Sequence, residues 1–227
     1  MRTPKNKDTR ALTLIEVLMV IAVVVLLAAL YLTMTTQRRP WQHGPFCSNN
    51  LKQVGIAFRI WAGDNGDKYP MQVSVTNGGT MEFVGSAPDT FRHFEVMSNE
   101  LNTPKILICP NETDRSRGMA GLWSNPSFSG RVAFTGNSNL SYFAGVDAQD
   151  IYPQRFLTGD RNLTNGTPIT GGLLTVTTNR PMGWTGEMHV NQGYIGLADG
   201  SVARFNTVEL RRAMETYDVE TNRLAMP

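Results

Sequence analysis

The chain has 227 residues, of which 41% are hydrophobic and 18% are charged. This is enough for one core of moderate size plus an appendage. The formal net charge is +2, but the first 11 residues hold four basic side chains and one acidic one, so the remainder carries 17 basic and 18 acidic side chains. No stripe of lysine and arginine interleaved with aromatic residues follows, which argues against a nucleic-acid partner.

An apolar segment near the N-terminus, residues 12–32, reads LTLIEVLMVIAVVVLLAALYL and contains one charged residue, Glu16. As a helix of 21 residues it would extend about 31 Å, which is enough to cross the apolar core of a bilayer. Four basic residues precede it, whereas only Arg38 and Arg39 follow it closely. We therefore predict a membrane helix with the N-terminus in the cytoplasm and the chain after about residue 35 outside.

A cleavable secretory signal is the alternative interpretation of this segment. The apolar run exceeds the usual ~7–15 residues, and no clear A-x-A cleavage site follows it. It also contains Glu16, and a carboxylate within a membrane helix costs about 2.5–3.5 kcal/mol. Either this side chain reaches back to the headgroups, or it has a function that requires its charge.

The only two cysteines are Cys47 and Cys109. An oxidising exterior would permit a disulfide between them. Two separate buried thiols are the alternative, and metal binding by two cysteines without neighbouring histidines is not expected.

A second helix is predicted from about Cys47 to Ala62, because apolar residues recur at spacings of three and four. This stripe comprises Leu51, Val54, Phe58 and Trp61. Short apolar runs separated by turn residues follow, and they indicate strands.

Near the C-terminus, GYIGLADGSVARF predicts a hairpin with a two-residue turn at Asp199-Gly200. In that register Leu197 would face Val202 and Tyr194 would face Phe205. The next segment, NTVELRRAMETY, predicts a short helix that begins with a capping box, with asparagine as the N-cap and glutamate three residues later.

These patterns together predict an α+β protein. A long N-terminal membrane helix, kinked near Pro40–Pro45, would precede a mainly antiparallel β-sheet lobe. The expected divisions are a leader at 1–11, a transmembrane or assembly helix at 12–35, a linker and second helix at 36–62, and a β-rich extracytoplasmic domain at 63–227.

The start of the chain, with its basic leader and LTLIEVL, resembles the processing signal of type IV pilins and type II secretion pseudopilins. The resemblance implies cleavage by the prepilin peptidase between Ala11 and Leu12, with methylation of the new N-terminus. Glu16 then becomes the fifth residue, as in the family. Two departures are Ala11, where the family usually has glycine, and Leu12, where phenylalanine is most common.

A second match lies downstream, where His189 is followed by nine residues and then by Asp199-Gly200. This resembles the H-X9-DG motif of a large group of bacterial prepilin-like proteins, and its role is unknown. The segments CSNNLKQVGIAFRIWAGDNGDKYP and LICPNETDR, which contain both cysteines, are also similar to segments of that group.

The resemblance implies a structural subunit of a type IV pilus-like or type II secretion filament, in which Glu16 pairs with a neighbouring subunit's terminal amine. The implied partners are the prepilin peptidase/methyltransferase, other pilin-like subunits and the inner membrane, with the lobe in the periplasm or at the cell surface. The alternatives are an anchored binding or surface protein that does not polymerise and, less favoured, an anchored hydrolase that uses His189. An enzyme is not expected, because Asp199 is better explained as a turn residue and no G-x-S-x-G elbow occurs.

No cofactor is expected. The segment GDNGD offers Asp64 and Asp67 as calcium ligands, but it lacks the complete EF-hand pattern. A turn at a helix terminus is the preferred interpretation.

Overall fold

A computed structural model describes residues 13–34, 44–124, 132–180, 182–216 and 221–227. The chain divides into two compact units, Met1–Arg39 and Pro40–Pro227. The predicted cleavage residues Ala11 and Leu12 lie outside the described residues.

Helix α1, Leu14–Met34, is the described secondary structure of the first unit. Thr13 precedes it, and its backbone N–H and its hydroxyl both donate to Glu16 Oε2, each at 2.8 Å. The first bond is the glutamate half of a T-x-x-E capping box, in which a glutamate side chain satisfies a backbone donor at the helix start. This local role of Glu16 was not predicted from the sequence.

The predicted N-terminal membrane helix, part of the predicted fold class, is wrong. Across the described parts of the chain, no helix combines the length and the apolar character that a membrane crossing requires.

Helix α2, Gly44–Asp64, opens the second unit. The predicted stripe is confirmed, since Leu51, Val54 and Phe58 are fully buried and Trp61 is nearly so. The predicted kink near Pro40–Pro45 falls mostly on residues outside the described ranges, and Pro45 lies in the first turn of α2, where proline is tolerated.

The second unit is built on an antiparallel sheet, which confirms the α+β class and the β-rich lobe. Six strands pair in the order β4-β8-β1-β2-β6-β7, and β3 pairs with β5 separately. Helix α2 packs against β2, β6 and β7. The strands are β1 Tyr142–Gly145, β2 Phe156–Asp160, β3 Leu163–Thr164, β4 Leu173–Thr177, β5 Gly183–Trp184, β6 Gln192–Leu197, β7 Val202–Asn206 and β8 Thr221–Ala225.

Side chains alternate between two cores, one on each face of the sheet. Tyr142 and Ala144 of β1 belong to the core that includes α2, whereas Phe143 between them belongs to the second core. The second core also contains the apolar face of α5, Thr207–Thr216. The short helices α3, Arg92–Glu95, and α4, Ser98–Leu101, with several 3-10 turns, precede the sheet in the chain.

The predicted register of the β6–β7 hairpin is wrong by one residue. Tyr194 pairs with Arg204, and Gly196 pairs with Val202. The loop has three residues instead of two, because Gly200 has a positive φ of 86° and Asp199 does not. A type I turn followed by a left-handed glycine produces this longer loop.

The capping box predicted for the last helix is confirmed. Asn206 Oδ1 accepts the N–H groups of Val208 and Glu209 at 2.9 Å, and the Glu209 carboxylate accepts the Asn206 N–H at 2.9 Å.

Candidate functional site

A disulfide joins the first turn of α2 to the segment that precedes β1. It links Cys47 to Cys109, the predicted pair, with their Cα atoms 5.4 Å apart. Both residues are buried, with exposures of 0% and 1%. The closed loop spans 62 residues, so the bond holds α2 to a part of the core that is distant in sequence.

His189, the first residue of the H-X9-DG motif, packs against this disulfide. Its Nε2 lies 3.3 Å from Cys109 Sγ and 3.4 Å from Asp160 Oδ2. Its Nδ1 lies 3.0 Å from the side-chain nitrogen of Asn111. Because an amide nitrogen can only donate, Nδ1 is the acceptor and Nε2 carries the proton. The Nε2–H group therefore faces both the sulfur and the carboxyl group.

Asp160, the last residue of β2, is fully buried beside His189. Its Oδ2 accepts the backbone N–H of Tyr194 at 2.7 Å, while its Oδ1 has no hydrogen-bond partner among the described residues. Burial raises the pKa of Asp160 to about 8, and the Tyr194 N–H opposes this shift. Burial, followed by the charge of Arg204, lowers the pKa of His189 to about 4. At neutral pH the contact is therefore between two uncharged groups.

The backbone around His189 is strained. Met188, Val190 and Asn191 have φ values of 56°, 53° and 59°. Positive φ is a genuine outlier for a β-branched residue such as valine, and such conformations persist only where surrounding contacts hold them. The amide of Asn162 supplies such contacts, because it donates to the carbonyls of Glu187 and Gln192, each at 3.0 Å.

An ion-pair network also contacts the segment around His189, through Glu187. Arg161 donates to Glu112 through Nε at 2.9 Å and Nη2 at 2.5 Å, and to Glu187 through Nη1 at 2.8 Å. The Ser141 hydroxyl donates to Glu112 at 2.7 Å. These bonds lower the pKa of Glu112 against the opposing effect of its burial. Paired charges of this geometry give strong, directional hydrogen bonds.

The other half of the motif, Asp199-Gly200, forms the β6–β7 turn and does not meet His189. Asp199 Oδ1 accepts the Ser201 N–H at 2.8 Å, and its carbonyl accepts Arg59 Nη1 at 2.6 Å. Since six-residue β6 separates the two halves, they do not form a catalytic dyad. Instead, each makes a contact near one end of β6: His189 with the disulfide that includes Cys47 of α2, and Asp199 with Arg59 of α2.

The predicted calcium ligands Asp64 and Asp67 lie at the end of α2. There Gly66 and Asp67 have positive φ values, and the Asp67 N–H donates to the carbonyl of Ala62. This is a helix C-terminal turn. The calcium hypothesis stays untested.

Among the described residues, one group of three side chains could hold a metal ion. It comprises Cys47, Cys109 and His189, whose ligand atoms all lie within 4.8 Å of one another. In the disulfide form the sulfurs are bonded to each other and are not available as thiolates.

Asn111, Asp160, Arg161 and Asn162 surround His189, and no pattern in the sequence was used to link them to it. Three of them are consecutive in the segment GDRN at the end of β2. A run of polar residues directly after a buried strand is the signal that could have identified them.

No protein-family model, no curated protein and no solved structure matches this chain.

Proposed function

We propose that the chain is a pilin-like or pseudopilin-like structural subunit that assembles with other subunits through α1. The observation that carries the proposal is the surface of this helix. Every described side chain of α1 is exposed, and those that are large and hydrophobic range from Val17 at 45% to Leu14 at 80%. Exposed apolar surface of this extent marks an interaction site.

The distribution of the apolar side chains favours a particular kind of partner. Helix α1 is apolar on all sides, with Glu16 as its one charged residue. A helix with one apolar stripe packs against one neighbour, whereas a helix that is apolar all round requires apolar neighbours on every side. A filament core made of equivalent helices supplies that environment.

Glu16 suits this assembly as a charged contact. Both bonds from Thr13 go to Oε2, and they lower the pKa of the carboxyl group. Oε1 accepts no hydrogen bond from the described residues. After cleavage between Ala11 and Leu12, this oxygen would accept the terminal amine of a neighbouring subunit. A misaligned subunit would leave both charges unpaired, which is costly in an apolar environment.

The lobe would function outside the cytoplasm, in the periplasm or at the cell surface. Its disulfide supports this placement, since such bonds persist in oxidising compartments and are rare in the cytosol.

The test compares Glu16→Gln with Glu16→Ala in the native cell, with Glu215→Gln as a control acid on the exposed side of α5. Sheared filaments are pelleted, the subunit is quantified, and the mature N-terminus is determined by mass spectrometry. Glutamine retains a carbonyl acceptor for Thr13 but has no charge. We expect a methylated Leu12 in all forms, and loss of pelleted subunit in both Glu16 variants but not in the control.

Three results would contradict the proposal. Absence of the wild-type chain from sheared filaments would indicate a surface protein that does not polymerise. Normal assembly of Glu16→Gln would reduce Glu16 to a helix cap. An N-terminus at Met1 would exclude the processing route.

A further inference from the structure

We propose that reduction of the Cys47–Cys109 disulfide creates a zinc site, in which the two sulfurs and His189 Nε2 bind one Zn²⁺ ion. This inference goes beyond the proposed function and does not depend on it.

The positions of the three donor atoms support the site. All lie within 4.8 Å of one another, and His189 Nε2 is 3.3 Å from Cys109 Sγ. Zinc bonds of about 2.3 Å to sulfur and about 2.0–2.1 Å to nitrogen place tetrahedral donors roughly 3.5–3.8 Å apart. Breaking the disulfide lets the sulfurs separate, and the histidine is already close to the required distance.

Asp160 provides an independent reason to expect an ion here. It is fully buried, its Oδ2 lies 3.4 Å from His189 Nε2, and its Oδ1 has no partner among the described residues. An unsatisfied buried carboxyl oxygen is costly. With a small movement toward the ion, Asp160 becomes the fourth donor. Two thiolates, an imidazole and a carboxylate form a donor set that suits zinc.

Asn111 can support the histidine in either state. In the disulfide form its amide nitrogen donates to His189 Nδ1. When Nε2 binds a metal, the proton resides on Nδ1 and needs an acceptor. Rotating the amide by half a turn presents its oxygen to that proton, which is the usual outer contact of a zinc-bound histidine.

The redox step requires a dithiol reductant. The reductant transfers two electrons and two protons to the disulfide and becomes a disulfide itself, while Cys47 and Cys109 become thiols. Zn²⁺ then displaces the two thiol protons and the proton of the Asp160 carboxyl group, and all three are released to solvent, while the imidazole proton of His189 moves from Nε2 to Nδ1. Exchange with an external disulfide, which takes up two electrons and two protons to become a dithiol, re-forms the Cys47–Cys109 bond and expels the ion. Because both cysteines are buried, a reductant reaches them only when the surrounding structure opens.

The experiment uses the full chain, either oxidised or reduced with a trialkylphosphine, which takes oxygen from water to form the phosphine oxide. Calorimetric titration with Zn²⁺ should show one tight site in the reduced chain, and binding at least about 100-fold weaker in the oxidised chain. Titration with Co²⁺ should give sulfur-to-metal charge-transfer bands in the reduced chain alone.

Substitutions distinguish the loss of a metal ligand from a general effect on folding. His189→Ala and His189→Gln should each weaken Zn²⁺ binding by at least about 100-fold, and Asp160→Asn by about 10-fold. His93→Gln is the control, because His93 is a buried histidine that does not belong to the cluster; this variant should bind Zn²⁺ as the wild type does.

Equal Zn²⁺ affinity of the oxidised and reduced chains would overturn the proposal. So would wild-type affinity in both His189 variants, or Co²⁺ spectra without sulfur bands. If reduction unfolds the lobe, stoichiometric Zn²⁺ should restore its circular dichroism spectrum, and failure to restore it would also overturn the proposal.

Discussion

Acidification should destabilise the lobe through His93, a buried histidine in α3. This residue has no exposed surface, its Nδ1 lies 2.7 Å from the hydroxyl of Thr80, and its Nε2 has no partner among the described residues. Burial lowers its pKa from 6.5 to about 4, against a weaker opposing effect of Asp89. The unfolded chain therefore takes up a proton near pH 6.5, and the folded chain does so only near pH 4.

The sign and size of the effect follow from this difference in pKa. Above pH 6.5 His93 is neutral in both the folded and the unfolded chain, so it does not make the free energy of unfolding depend on pH. Between pH 6.5 and about pH 4 the unfolded chain binds more protons than the folded chain, and the free energy of unfolding falls as the pH falls. The full shift corresponds to about 3 kcal/mol. Between pH 7 and pH 4.5 the free energy of unfolding should fall by about 2 kcal/mol because of this residue.

Urea unfolding of the wild type and His93→Gln, with the disulfide intact, measures this contribution. The comparison with the variant is needed because two other groups also change the stability as the pH falls. His189, whose pKa is lowered, destabilises the folded state as His93 does, whereas Asp160, whose pKa is raised, stabilises it. Between pH 7 and pH 4.5 the free energy of unfolding of the wild type should fall by about 2 kcal/mol more than that of the variant. Equal losses, within about 0.5 kcal/mol, would refute the assignment of this pH dependence to His93.

Three further predictions concern stability at neutral pH and are measured by the same unfolding assay. Gly193→Ala should lower the free energy of unfolding by about 1–3 kcal/mol or more, because the added Cβ would lie 2.2 Å from a ring atom of Trp184. Gly186→Ala is the control: no atom lies within 4 Å of its Cβ position, so its stability should be within about 0.5 kcal/mol of the wild type. Replacing Cys47 and Cys109 together by serine should cost about 4 kcal/mol, from the entropy of a 62-residue loop, and a cost below about 1 kcal/mol would contradict that reasoning. Asn206→Ala should cost about 1 kcal/mol through the lost cap of α5, whereas an unchanged midpoint would argue against the cap.

Local patterns predicted the elements of the fold that depend on neighbouring residues. The buried stripe of α2 and the capping box of α5 each follow from contacts within a few positions of the chain. The prediction of the hairpin register was wrong because an Asp-Gly pair is compatible with two types of turn. A two-residue turn needs positive φ at both residues, whereas a three-residue loop needs it only at Gly200, and the pattern of apolar residues did not decide between them.

The surroundings of His189 could not be predicted in the same way, because they depend on tertiary contacts. Asn111 and Asp160 lie 78 and 29 positions from it in sequence, and neither belongs to a motif that indicates its partner. The disulfide was predictable for a different reason: with only two cysteines, a single pairing exists.

The spacing of the H-X9-DG motif has a mechanical explanation in this fold. His189 contacts the disulfide, and the carbonyl of Asp199 accepts a hydrogen bond from Arg59 of α2. Between them runs β6, and a strand of fixed length allows both contacts only at one spacing. Inserting or removing a residue would also turn every following side chain to the opposite face of the sheet. These contacts give the motif a structural role, in which both ends of β6 are attached to α2 or to its disulfide.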